Sequence, residues 1–137
     1  MKLDLILTED LPASIEEVWK AITDSRVLAL WLMENDFEAR VGARFTLRRV
    51  DPVPGWRGWI DCQVLELQPP TRMVWSWSDG ADSTGTRVIF ELHAEGSGTR
   101  LTLRHVGDEG EAMAQMIRER WPIKLRALAS ILRGDEQ

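Results

Sequence analysis

The chain has 137 residues, 44% hydrophobic and 28% charged, with a net charge of −5. That length is enough to bury a core in one domain, 1–137, and the composition is not that of a disordered chain. An acidic balance with pI near 5.1 argues against nucleic acid and against anionic membrane surfaces as partners, since both select a basic face.

A lone cysteine, Cys62, excludes an internal disulfide and fits a reducing compartment. Asp4, Glu9 and Asp10 interrupt the N-terminal apolar residues, so that segment does not read as a signal peptide. The apolar run from Leu28 to Met33 is too short to span a bilayer, and the cytoplasm is the expected location. Seven Trp with no Tyr stand out. Indoles bury a large rigid surface while their N–H seeks a partner, so they either fill a core or line a cavity.

In chain order, Leu3, Leu5 and Leu7 alternate with Asp4, Ile6 and Thr8 as a first strand. Ser14 followed by Glu17 is a capping box, and Ile15, Val18, Trp19 and Ile22 continue it as a helix ending near Thr23–Asp24. Ser25 is the expected cap of a second short helix carrying Val27, Leu28, Trp31 and Leu32. From Asp36 the period becomes two. Phe37–Arg40, a Val41–Gly42 turn and Ala43–Val50 read as a hairpin with Phe45 and Leu47 on one face. Asp51–Gly55, with two prolines, reads as a loop. Strands follow over Trp56–Leu67, Arg72–Ser78, Thr86–Glu95 and Thr99–Val106, separated by Pro69-Pro70, a polar Asp79–Gly85 turn and Gly96-Ser97-Gly98.

The segment from Asp108 to Gly134 is organised as a long helix. Met113, Met116, Ile117, Trp121, Leu125, Leu128 and Leu132 form one stripe, and Pro122 predicts a kink or short break near Arg120–Pro122. Short links between strands predict antiparallel neighbours. The fold class expected is α+β: a curved antiparallel sheet of about six or seven strands wrapped on the C-terminal helix, with two short helices after the first strand.

These residues resemble a known family. Pro12 to Asp24 is similar to its opening signature, and Leu30-Trp31-Leu32 to the tryptophan that follows. Arg40–Phe45 resembles its Gly-Gly-x-Phe hairpin, with Ala43 replacing the second glycine. Val64–Trp77, Glu95–His105 and Trp121-Pro122 extend the match over essentially the whole chain, while Trp56 and Trp59 fit it less well. The family is the one named after the activator of the heat-shock-protein-ninety ATPase, within the START and birch-pollen-allergen-like helix-grip superfamily. The resemblance implies a cavity between sheet and long helix, and leaves three roles open: a ligand binder, a co-chaperone-like module, or a cyclase or dehydratase.

No HExxH, cysteine pair, P-loop, G-x-S-x-G or dinucleotide-binding glycine pattern is present, so no metal or cofactor is expected. Asp79-x-x-Asp82 lacks calcium-loop spacing and reads as a solvated turn. His105 shares parity with Leu101 and Leu103, which aims it at the cavity. There it is either a general base or, the commoner case, a structural His bonded to a backbone carbonyl or a Trp. Arg49 alternates with Phe45 and Leu47 and is expected at the cavity rim, against Glu66 or a ligand carboxylate. Trp56 and Trp59 are candidates for an exposed patch meeting a protein partner or a second copy in a homodimer.

The cavity wall expected is Trp31, Phe45, Leu47, Arg49, Trp75, Trp77, Phe90, Leu103, His105, Met113, Met116, Ile117 and Trp121. The leading expectation is non-catalytic or weakly catalytic binding of a small apolar or amphipathic molecule there.

Overall fold

The computed structural model describes residues 2–49, 54, 56–80 and 85–134. Its elements are β1 (Lys2–Leu11), α1 (Ile15–Thr23), α2 (Ser25–Trp31), β2 (Glu34–Asn35), β3 (Arg44–Arg48), β4 (Trp59–Gln68), β5 (Arg72–Ser78), β6 (Thr86–Glu95), β7 (Gly98–Asp108) and α3 (Glu111–Leu132). The strands form one sheet in the order β1-β7-β6-β5-β4-β3-β2, and every neighbouring pair is antiparallel. This is the helix-grip arrangement: the chain runs along the sheet from β2 to β7, returns β1 to β7's free edge, and covers the inner face with α3.

Local chemistry explains the start of each helix. Ser14 Oγ accepts from the Glu17 amide at 3.2 Å while the Glu17 carboxylate accepts from the Ser14 amide, a complete capping box. The cap of α2 is Asp24 and not Ser25: the Asp24 carboxylate accepts from the Arg26 amide at 2.8 Å, and Ser25 is the first helical residue. A carboxylate one residue earlier takes the role because it satisfies an orphan amide and faces the positive end of the helix.

The sheet bends where β4 gains a residue. Register slips between Val64 and Glu66, so Ile60, Cys62 and Val64 are buried on one side of the bulge while Leu67 takes the inward parity beyond it. Such a bulge twists and curves a strand. The concave face it helps shape is filled at mid-sheet by aromatic rings. Trp75 lies 4.7 Å from Phe90 and 5.0 Å from Phe45, both edge to face.

Three further expectations are corrected. Phe37–Arg40 is not a strand; the partner of β3 is the two-residue β2, pairing Glu34 with Arg48 and Asn35 with Leu47. Asp36 lies in the loop, where its carboxylate accepts from the Thr46 amide at 2.7 Å, and Phe37 folds onto Phe45 at 5.1 Å. The loop is thus held by side chains instead of a ladder. Second, β4 starts at Trp59 rather than Trp56. Third, α3 runs unbroken through Pro122. Proline withholds one amide from a ladder whose other bonds remain, and the buried stripe of Met113, Ile117, Trp121, Leu125 and Leu128 holds both halves to one surface. The expected strand end at Val50, the loop at 51–53 and the turn at 81–84 lie outside the described residues.

Candidate functional site

One end of the concave face is not filled. Where β3 and β5 end and β4 begins, a hollow of about 350 Å³ lies between the sheet, α2 and the first half of α3. Trp31, Ile60 and Trp77 contribute buried apolar walls, joined by Met113, Ile117 and Trp121 one helical turn apart on α3. The half-buried Trp56 and Met116 complete the wall, and exposed Leu30, Arg48 and Arg120 show that the hollow reaches the surface. Arg49 and Lys124 flank the opening with Glu34.

Of the residues expected at a cavity, the structure gathers Trp31, Arg49, Trp77, Met113, Met116, Ile117 and Trp121 around this hollow. Phe45, Leu47, Trp75, Phe90 and Leu103 are at most 3% exposed and belong to the packed core beside it. Alternation along a strand identifies the inward face, but not where along the strand the filling stops. The residues missed include Ile60 and Trp56 in the wall and Leu30, Glu34, Arg48, Arg120 and Lys124 towards the opening. Met116, Arg120 and Lys124 recur every four residues beside the apolar stripe, and that spacing was the available signal for two of them.

His105 is a correction of another kind. It is fully buried and is not part of the hollow's lining. Trp121 Nε1 donates to its Nδ1 at 3.0 Å, and its Nε2 meets Thr86 Oγ1 at 2.7 Å. Indole N–H only donates, so Nδ1 is the acceptor and the ring is the neutral tautomer with its proton on Nε2, donated to Thr86. Burial lowers its pKa from 6.5 to about 3. The one lone pair a base would use is occupied, and no approach to it is open. His105 ties β6, β7 and α3 together, as a structural His held by a Trp.

Arg49 lies past the end of β3, its amide bonded to the Gly58 carbonyl at 2.8 Å, and Glu66 is not its partner. Glu66 lies eight residues further along, about 26 Å of strand, and accepts from Arg72 Nε at 3.1 Å. Trp56 and Trp59 form no joint patch either. Trp56 lines the hollow, while Trp59 is 41% exposed with the Arg57 guanidinium 4.6 Å above its ring.

Burial first, then the charges of Arg120 and Arg49, hold the Lys124 ammonium below the usual lysine range. Trp56, Trp75 and Trp77 carry buried indole N–H groups without an acceptor among the described residues. No group of His, Cys, Asp and Glu able to hold a metal ion occurs among the described residues, though Asp82 lies outside them. No helix among the described residues is long and apolar enough to cross a membrane.

An antiparallel sheet gripping a C-terminal helix, with an apolar hollow at one end, defines a helix-grip domain. The sequence matches the family described as Activator of Hsp90 ATPase homolog 1-like protein over residues 12–133, and the chain belongs to that family. No curated protein is a significant match to it. Among solved structures it is similar to the protein MLL2253 of Mesorhizobium loti, with TM-score 0.84 and 24% identity over 98% of this chain and 99% of that one. DynU16, from the dynemicin biosynthetic locus, aligns with TM-score 0.78 and 23% identity over 95% of this chain and 47% of its own. The Aha1 dimer of Colwellia psychrerythraea aligns with TM-score 0.79 and 21% identity over 95% and 96%. At these identities the likeness shows the fold.

Proposed function

We propose that the protein binds a small apolar or amphipathic molecule in the hollow between sheet and α3. The observation that carries this reading is the hollow itself: about 350 Å³, at the small end of known ligand sites, walled by four tryptophans and opening at a polar rim. A core of this composition has no need to leave such a space, since interiors otherwise pack densely. That DynU16 belongs to a biosynthetic locus fits a fold used around small molecules. His105, the base the sequence offered, is sealed away from the hollow, which favours binding over turnover.

A second reading, a surface for a protein partner or another copy of the chain, draws on the family's namesake and on the Colwellia dimer. Leu30, 72% exposed on α2, and Ile123, 49% exposed on α3, supply apolar contact.

Thermal melts across a panel of lipids and aromatic metabolites separate the two. A ligand at about a hundred times its Kd adds roughly 2.7 kcal/mol, which raises the melting temperature by several degrees. A panel without any shift, together with native mass spectra showing no co-purifying small molecule, removes the first reading and leaves the second.

A further inference from the structure

The polar chemistry of the hollow is one-sided. Four cationic side chains, Arg48, Arg49, Arg120 and Lys124, converge on one opening in a protein of net charge −5, and among the described residues that line it Glu34 is the lone carboxylate. Arg48, Arg120 and Lys124 make no ion pair among the described residues. Like charges brought together at a partly buried site repel, and the lowered affinity of Lys124 for its proton registers that repulsion after the effect of burial. An anion placed among them relieves it. The indoles of Trp56 and Trp77 in the same wall have N–H groups lacking an acceptor among the described residues, so the surplus there too is of donors.

We infer that the molecule held in the hollow is a small amphiphile with an oxyanion head, its apolar body against Trp31, Trp77 and Trp121 and its head between Arg120 and Lys124. This rests on the hollow being a ligand site. At about 30 Å³ per water-sized atom, the space takes about a dozen non-hydrogen atoms, the size of a medium-chain acid or a bicyclic aromatic acid.

Titration calorimetry with octanoate, octyl phosphate, octanol and octylammonium tests it, since the four share a tail and differ in the head. Charge-assisted hydrogen bonds to the rim make the anions bind at least about tenfold more tightly than octanol, with octylammonium weakest. The anion of higher affinity identifies the head as carboxylate or phosphate. The preference shrinks as salt is raised and falls to within about twofold of unity in Arg120→Gln/Lys124→Gln, because both effects act on the same charges. Arg126→Gln, an exposed change on the same helix outside the hollow, keeps the preference. Equal affinity for octanoate and octanol overturns the oxyanion assignment while the hollow remains a ligand site, and a preference that survives the double substitution overturns the placing of the head between Arg120 and Lys124. Binding by none of the four, with no shift across the melting panel of lipids and aromatic metabolites, overturns both. The wild-type salt series decides the matter should the double variant fail to fold.

Discussion

Residue by residue, the most consequential environment is that of His105. A buried imidazole whose Nδ1 accepts from Trp121 and whose Nε2–H meets Thr86 is complete as a neutral group and has no place for a second proton. Its pKa is about 3 in the folded protein against 6.5 when exposed, so the unfolded chain binds the extra proton first as pH falls. Stability from this residue is therefore fully present above pH 6.5 and is lost progressively down to about pH 3. At 1.36 kcal/mol per pKa unit, the loss between neutrality and pH 5 is about 2 kcal/mol. Gln in place of His105 retains an acceptor and a donor without a titration. Urea melts of wild type and His105→Gln at neutral pH and pH 5 check this: the wild type loses about 2 kcal/mol more than the variant. Parallel losses would mean that His105 is not held neutral.

Among the elements, α3 shows what was readable and what was not. Its stripe of Met113, Ile117, Trp121, Leu125 and Leu128 is legible from period alone, and so are the Ser14–Glu17 box and the parity of the long strands. Short or side-chain-held pieces were not. Two residues of β2 carry no period, and the loop onto Phe45 depends on Asp36 and Phe37 contacts that no pattern announces. The site divides the same way. Side chains on α3 were placed at the hollow because a helix stripe has one partner surface, whereas strand parity could not separate Trp77, at the hollow, from Trp75 in the packed core one pair away. Pro122 does not break α3, since a single missing amide competes with a whole buried face. Its local cost still stands. Pro122→Ala restores an amide to the Arg118 carbonyl and is expected to stabilise the protein by about 1–3 kcal/mol, less what a freer unfolded chain gives back. A lower melting temperature in that variant would show that the α3 path requires the proline's geometry.

At the scale of the whole molecule, the question is why one end of the concave face is open while the rest is solid. The packed part is built from aromatic edges: Trp75 against Phe45 and Phe90, Trp77 against His105 at 4.8 Å, and Trp77 against Trp121 at 5.9 Å. Trp77 and Trp121 thus serve the core on one side and the hollow on the other, so their rings stay fixed whether or not the hollow is occupied. The α3 wall also has softer positions, because Met113 and Met116 adapt their shape to what they touch. Fixed rings beside plastic side chains suit a site that accepts ligands of related shape. If the space is kept for a ligand at the expense of packing, filling it should stabilise the fold and remove the function together. Met116 is the position to fill: it is half-buried, lines the hollow and sits on α3, where a larger ring enters without displacing the sheet. Met116→Trp is expected to add about 0.5–2 kcal/mol, the usual gain from cavity filling, or a few degrees in melting temperature. In the same variant, affinity for any ligand found by the melting panel drops at least about tenfold. Calorimetry and melting on the one variant therefore bear on a single claim. A variant that melts higher and still binds would place the ligand elsewhere, and one that melts lower would mean the hollow is too small for the ring and its walls already touch.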